Sequence, residues 1–82
     1  SMHSYGVAID INPLQNPYIR YDNQNILSIQ PQASKDFLDR TNIRPGMVEK
    51  IVDLFKNHGF DWGGDWTSLK DYQHFEYPLT QI

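Results

Sequence analysis

The residues of this chain best suited to chemistry lie at its two ends, and that constrains the fold more than anything between them. The head, Ser1-Met2-His3-Ser4-Tyr5-Gly6-Val7-Ala8-Ile9-Asp10, sets an imidazole and a carboxylate seven residues apart. Near the tail, Asp71-Tyr72-Gln73-His74 sets a carboxylate and an imidazole three apart. A fold that uses both pairs must bring the first and last segments side by side. Two imidazoles and a carboxylate can hold one metal ion, with a second carboxylate left to move protons. Three protein ligands and an open fourth position make the inventory of a hydrolytic zinc site.

With 82 residues the chain is long enough for one small core only, and a bound metal would help hold so small a domain together. The net charge of -3 and the scattering of the 7 Lys and Arg argue against a nucleic-acid partner. No apolar run reaches the length of a membrane span, and no signal-peptide pattern is present. The absence of cysteine excludes disulfides and thiolate metal sites without fixing a compartment. A metal ligand at the third position stands where backbones fray, so an N-terminally truncated or excised form is expected.

Residues 7–12 alternate, with Val7, Ile9 and Ile11 on one face and Ala8, Asp10 and Asn12 on the other, which predicts a half-buried strand. Asp10 then points away from the core, small Ala8 leaves room beside it, and Gly6 permits a bend that would swing His3 toward it. Residues 12–34, with Pro13, Pro17 and Pro31, read as an irregular segment that wraps the surface or borders a groove. Ser34 is expected to cap a short helical turn over residues 34–39 that buries Phe37 and Leu38. Pro45-Gly46 leads into the clearest helix, residues 47–57, with an apolar stripe of Met47, Val48, Ile51, Val52, Leu54 and Phe55 and a stop at Gly59. Trp62-Gly63-Gly64-Asp65-Trp66 is a turn between aromatics, and residues 72–77 form a closing strand ended by Pro78. The fold class expected is α+β: a small antiparallel sheet with one main helix packed on it.

Residues three apart on a regular strand face opposite sides, so Asp71 and His74 can share a site only if Asp71 lies in the turn before the strand or a bulge intervenes. Glu76 shares the His74 face and is a rival ligand. A zinc ion held by His3, Asp10 and His74 would make a nucleophile of water near neutral pH. Asp71 would take the proton and pass it to a departing amine. Each ligating imidazole needs a partner for its second nitrogen, for which Ser1, Tyr5 and Tyr72 are candidates. The alternative for His3 is a solvated terminal residue, or a planar copper or nickel site built with a free amino terminus. His58 reads as a structural residue at a helix C-terminus. At least one of Trp62 and Trp66 belongs to the core. Arg20, Arg40 and Arg44 read as solvated, with one of them a possible partner for a substrate carboxylate.

Taken together, Ser1-x-His3-x-x-Gly6-x-Ala8-x-Asp10, then Ile11-Asn12-Pro13, Trp62-Gly63-Gly64-Asp65-Trp66 and Asp71-x-x-His74-Phe75-Glu76, resemble the VanY-like D-alanyl-D-alanine carboxypeptidases. That family also includes the L-alanyl-D-glutamate endopeptidases of phage endolysins. The match runs from Ser1 to about Tyr77. The resemblance implies the fold shared with the hedgehog signalling domain and a single zinc peptidase domain over residues 1–82. It assigns Zn2+ to His3, Asp10 and His74 and the acid/base role to Asp71. Ser1, Tyr5, Trp66 and Tyr72 become candidates for substrate contact, peptidoglycan stem peptides the partner, and the cell envelope or the exterior the location. Asp at the acid/base position, with the Trp-Gly-Gly-Asp-Trp turn, looks most like the endolysin branch. Two rivals stand beside a peptidase: a non-catalytic wall-binding module with a structural zinc, and a metal-independent interaction domain.

Overall fold

A computed structural model describes residues 5–78, with side chains for residues 7–77; Ser1 and His3 lie outside the described residues. In chain order the elements are β1 (Tyr5–Asp10), β2 (Tyr18–Asp22), β3 (Asn25–Gln30), a 3-10 helix (Gln32–Phe37), α1 (Glu49–Asn57), β4 (Asp61–Trp62), a 3-10 turn (Gly63–Asp65), β5 (Leu69–Asp71) and β6 (His74–Pro78). The architecture is α+β with one main helix, but the strands form two three-stranded antiparallel sheets rather than one, ordered β1-β6-β4 and β3-β2-β5. The first and last described strands are neighbours, as the two-ended distribution of chemical residues requires.

The second sheet arises in the stretch that reads as irregular. Tyr18 to Asp22 and Asn25 to Gln30 pair as a hairpin across Asn23 and Gln24, whose φ angles are 50° and 76°. Positive φ at both central residues matches the twist of the flanking strands. The prolines that suggested irregularity sit outside these strands and cost the sheet no donor. A further correction concerns Ser34. It caps nothing; buried within the 3-10 helix, its hydroxyl donates to the Leu14 carbonyl at 2.6 Å.

Helix α1 starts two residues later than its apolar stripe suggests, because Met47 and Val48 lie in the turn after Gly46, where φ is 90°. The helix ends as expected. Gly59 (φ 90°) sits just past the cap residue His58, its N–H bonded to Lys56 O and that of Phe60 to Phe55 O, both at 3.0 Å. Phe60 folds back edge-on to Phe55 with ring centroids 5.2 Å apart, completing a Schellman motif.

The core forms where α1 covers the inner face of the β1-β6-β4 sheet. Val48, Val52 and Phe75 are buried, with Ile9, Ile11, Phe55, Phe60 and Trp62 packed round them. Phe75, fully buried on the central strand, stacks on Phe55 at 4.4 Å. Truncating it to alanine would cost about 3–5 kcal/mol. Ile9 and Ile11 face this cluster, whereas Val7 at the far end of β1 is exposed.

A polar knot replaces apolar packing at the head of α1. Asn16, with no exposed surface, sends its amide nitrogen to the carbonyls of Ile11, Asn12 and Gly46 at 2.9–3.0 Å. Its carbonyl accepts the N–H of Val48 at 3.0 Å and a guanidinium N–H of Arg40 at 2.7 Å. Arg40 is thus not solvated: it also donates to both Glu49 carboxylate oxygens and to Gln15 O.

Candidate functional site

The β1–β6 register builds one wall of the site. Asp10 stands opposite His74, Ala8 opposite Glu76 and Ile9 opposite Phe75. Strand alternation turns Ile9 and Phe75 into the core and leaves Asp10, Ala8, His74 and Glu76 together on the outer face. His74 Nδ1 lies 3.0 Å from Asp10 Oδ1, and His74 Nε2 lies 2.7 Å from Glu76 Oε1.

Asp71 comes from the other sheet. It ends β5, paired with Tyr18 of β2, and the chain crosses between sheets at Tyr72 and Gln73 before β6 begins. That crossing breaks the strand alternation that would otherwise separate Asp71 from His74. Four hydrogen bonds pin it: Tyr72 N–H to Pro17 O at 3.1 Å, Ile11 N–H to Gln73 O at 2.9 Å, Gln73 Nε2 to Asn16 O at 3.2 Å, and Trp62 Nε1 to Tyr72 O at 2.8 Å. The Arg40 guanidinium lies over the Tyr72 ring, 4.4 Å from its centroid, and the Trp62 ring centroid is 5.8 Å from it. Opposite, Gly63 presses so closely on Asp71 that a Cβ there would lie 2.9 Å from the Asp71 Cβ and collide with its carbonyl oxygen.

The result is a cluster in which ligand atoms of Asp10, Asp71 and His74 all lie within 4.8 Å of one another. Its electrostatics are unsettled without a cation. Asp71 Oδ1 is buried with no hydrogen-bond partner. Burial pushes the Asp71 carboxyl up to about 6, with His74 pulling it down and Asp10 pushing it further up. Burial alone would lower His74, but hydrogen bonds to Glu76 and Asp10 and the charge of Asp71 more than offset it, so the imidazole stands above 6.5. A neutral imidazole has one N–H and cannot satisfy two carboxylates. Either a proton or a metal ion must stand between His74 and its neighbours. An imidazole and two carboxylates, one of them with an orphaned buried oxygen, fit a divalent cation such as zinc.

Of the other candidates, Trp66 lies beside His74 with ring centroids 5.6 Å apart. It also lines an open cleft of about 540 Å³ with Trp62, Phe60, Lys56, Asp61 and Asp65. Trp62 packs on the core as well as lining the cleft, so it is the core tryptophan of the pair. Tyr5 pairs with Pro78 at the end of β1 away from Asp10. His58 caps α1 and is exposed. Sequence reasoning missed the Arg40–Asn16–Glu49 knot and the contact of Glu76 with the far nitrogen of His74. The equal strand parity of His74 and Glu76 was the signal for the second; nothing local marks the first.

A family model described as D-alanyl-D-alanine carboxypeptidase matches residues 1–77. The peptidoglycan L-alanyl-D-glutamate endopeptidase CwlK of Bacillus subtilis (strain 168) is 36% identical over 76 residues, which are 93% of this chain. The chain spans 38% of the length of that relative. No solved structure gives a significant match. The family match embraces both ends of the chain, and with them the strands that carry Asp10 and His74. On that match, this chain belongs to the D-alanyl-D-alanine carboxypeptidase family.

Proposed function

We propose that this chain is the zinc-binding catalytic part of a peptidase that hydrolyses peptidoglycan stem peptides, with the hedgehog/DD-peptidase type of fold. The observation that carries this reading is the convergence of Asp10, Asp71 and His74 from opposite ends of the chain onto one 4.8 Å cluster. Family membership and the likeness to a peptidoglycan endopeptidase support the substrate class.

In this reading His3, Asp10 and His74 hold the ion, and Asp71 is the acid/base. The chemistry a zinc ion supplies in such a site is polarisation of a carbonyl and acidification of water. Asp71 suits proton transfer because a carboxyl raised to about 6 can accept a proton near neutral pH and give it up again. Its backbone is held by β2 on one side and Gly63 on the other, so the carboxyl is presented in one place. Trp66, beside His74 and lining the open cleft, is the substrate contact this reading uses, with Ser1, Tyr5 and Tyr72 as further candidates. A role in the cell envelope or outside the cell follows from the substrate. Among the described residues no helix is long and apolar enough to cross a membrane.

Mass spectrometry of defined stem peptides, incubated with the zinc-loaded chain, tests the proposal. Loss of a terminal D-alanine, or a cut between L-alanine and D-glutamate, establishes the peptidase and names the bond. Zinc retained without any cleavage would refute catalysis by this chain and leave a wall-binding module with a structural metal.

A further inference from the structure

We propose that Glu76 is the positioning residue that fixes the tautomer of His74, committing Nε2–H to itself and turning the Nδ1 lone pair toward Asp10. The inference rests on the assignment of Asp10 and His74 as metal ligands and deepens it.

Glu76 is a buried carboxylate on the central strand of its sheet, and its one recorded ionic partner among the described residues is His74. Burying a carboxylate is costly unless it is paired, and this one is aimed at a single ring nitrogen, Nε2, 2.7 Å away. The neighbouring strands leave that pairing free: Ala8, directly across on β1, is too small to intervene, and Asp61, across on β4, offers no donor. On the other side of the ring Nδ1 faces Asp10 Oδ1 at 3.0 Å.

The consequence follows from counting protons. With Nε2–H given to Glu76, a neutral His74 presents a lone pair to the Asp10 carboxylate, and two acceptors meet with nothing between them. Such a gap attracts a cation. With Glu76 absent, the single proton can move to Nδ1 and bond to Asp10, closing the pair on itself. Glu76 is therefore not a ligand, although strand parity made it a rival. It lies beyond the ring, outside the group formed by Asp10, Asp71 and His74. Such carboxylate–imidazole pairs orient the ring and raise its basicity toward a metal.

The test uses the full chain with 15N-labelled histidine, with the His74 signals assigned by comparison with His74→Gln. In the metal-free protein at alkaline pH, where the ring is neutral, nitrogen shifts should show His74 protonated at Nε2. Glu76→Ala should move the proton wholly or partly to Nδ1, and Glu76→Gln should give an intermediate state. Zinc affinity, measured by competition with a chromophoric chelator, should fall roughly 10–100-fold in Glu76→Ala and less in Glu76→Gln. Amide spectra report whether each variant keeps its fold, and Glu76→Gln carries the test should the alanine variant unfold. An Nδ1-protonated ring in the unmutated chain, or tautomer and affinity unchanged in a folded variant, would overturn the proposal. A chain that never retains zinc yet shows the tautomer shift would sink the metal assignment and leave the role of Glu76 standing.

Discussion

Gly63→Ala is the sharpest perturbation available, because the structure leaves no room for one methyl group. The added carbon would lie 2.9 Å from the Asp71 Cβ and 3.1 Å from its carbonyl carbon, closer still to the carbonyl oxygen, where 3.4–4 Å is ordinary contact. The obstruction is mostly backbone and cannot rotate away. Either the 3-10 turn or the end of β5 must shift by roughly 1 Å, and overpacking of this kind costs ~1–3 kcal/mol. At ~4–8 °C per kcal/mol for a domain of this size, the melting temperature should fall on the order of 10 °C. The shift lands on the residue proposed to move protons, and misplacement by ~1 Å costs about 100-fold in rate. Gly64→Ala is the control. Its methyl meets the indole of Trp62 instead, so it should destabilise while disturbing Asp71 less. Calorimetry and stem-peptide hydrolysis on both variants decide the matter. A Gly63→Ala protein that melts and hydrolyses like the unmutated chain would refute the claim that this contact positions Asp71.

Further outcomes follow from the same geometry. Asp71→Asn should abolish hydrolysis, by about 100-fold or more, while zinc stays bound; an unchanged rate would remove Asp71 from the mechanism. Stability of the metal-free chain should decline as pH rises. Asp71 holds its proton more tightly folded than unfolded, so its contribution is complete below 3.8 and is lost as pH passes about 6. The full shift corresponds to ~3 kcal/mol, which solvent screening of a half-exposed carboxyl reduces to ~1 kcal/mol. His74, also raised, adds a loss in the same direction above 6.5, and zinc should stabilise more strongly as pH rises, since its ligands must be deprotonated. A metal-free melting temperature that climbs over this range would contradict the sign. Asn16→Ala leaves the Val48 N–H and Arg40 short of an acceptor at the head of α1, and should cost on the order of 3 kcal/mol in urea denaturation; a loss below ~1 kcal/mol would show that water replaces it.

What the sequence determined alone was whatever short-range physics governs. The alternation that turns Ile9 inward and Asp10 outward and the left-handed stop at Gly59 each depend on a few neighbouring residues and stand in the structure as expected. Of the apolar stripe, Val48, Val52 and Phe55 reach the core and Met47 is buried, whereas Ile51 and Leu54 are exposed. The separation of Asp10 from Asp71 and His74 along the chain already required the ends to meet. Tertiary structure decided the rest, because long-range pairing is not written in any local pattern. Without a glycine in its turn, the β2–β3 hairpin had no strong local signal, and its strands gained order by pairing with each other and, for β2, with β5. Arg40 is partly buried because Asn16, Glu49 and Tyr72, distant in sequence, surround it with acceptors and a ring face. The cluster itself depends on the chain changing sheets between Asp71 and His74, an event strand periodicity allows but does not specify. Whether Glu76 binds a metal or steers His74 was likewise a matter of which ring nitrogen it reaches, and only the packing of β6 between β1 and β4 selects Nε2.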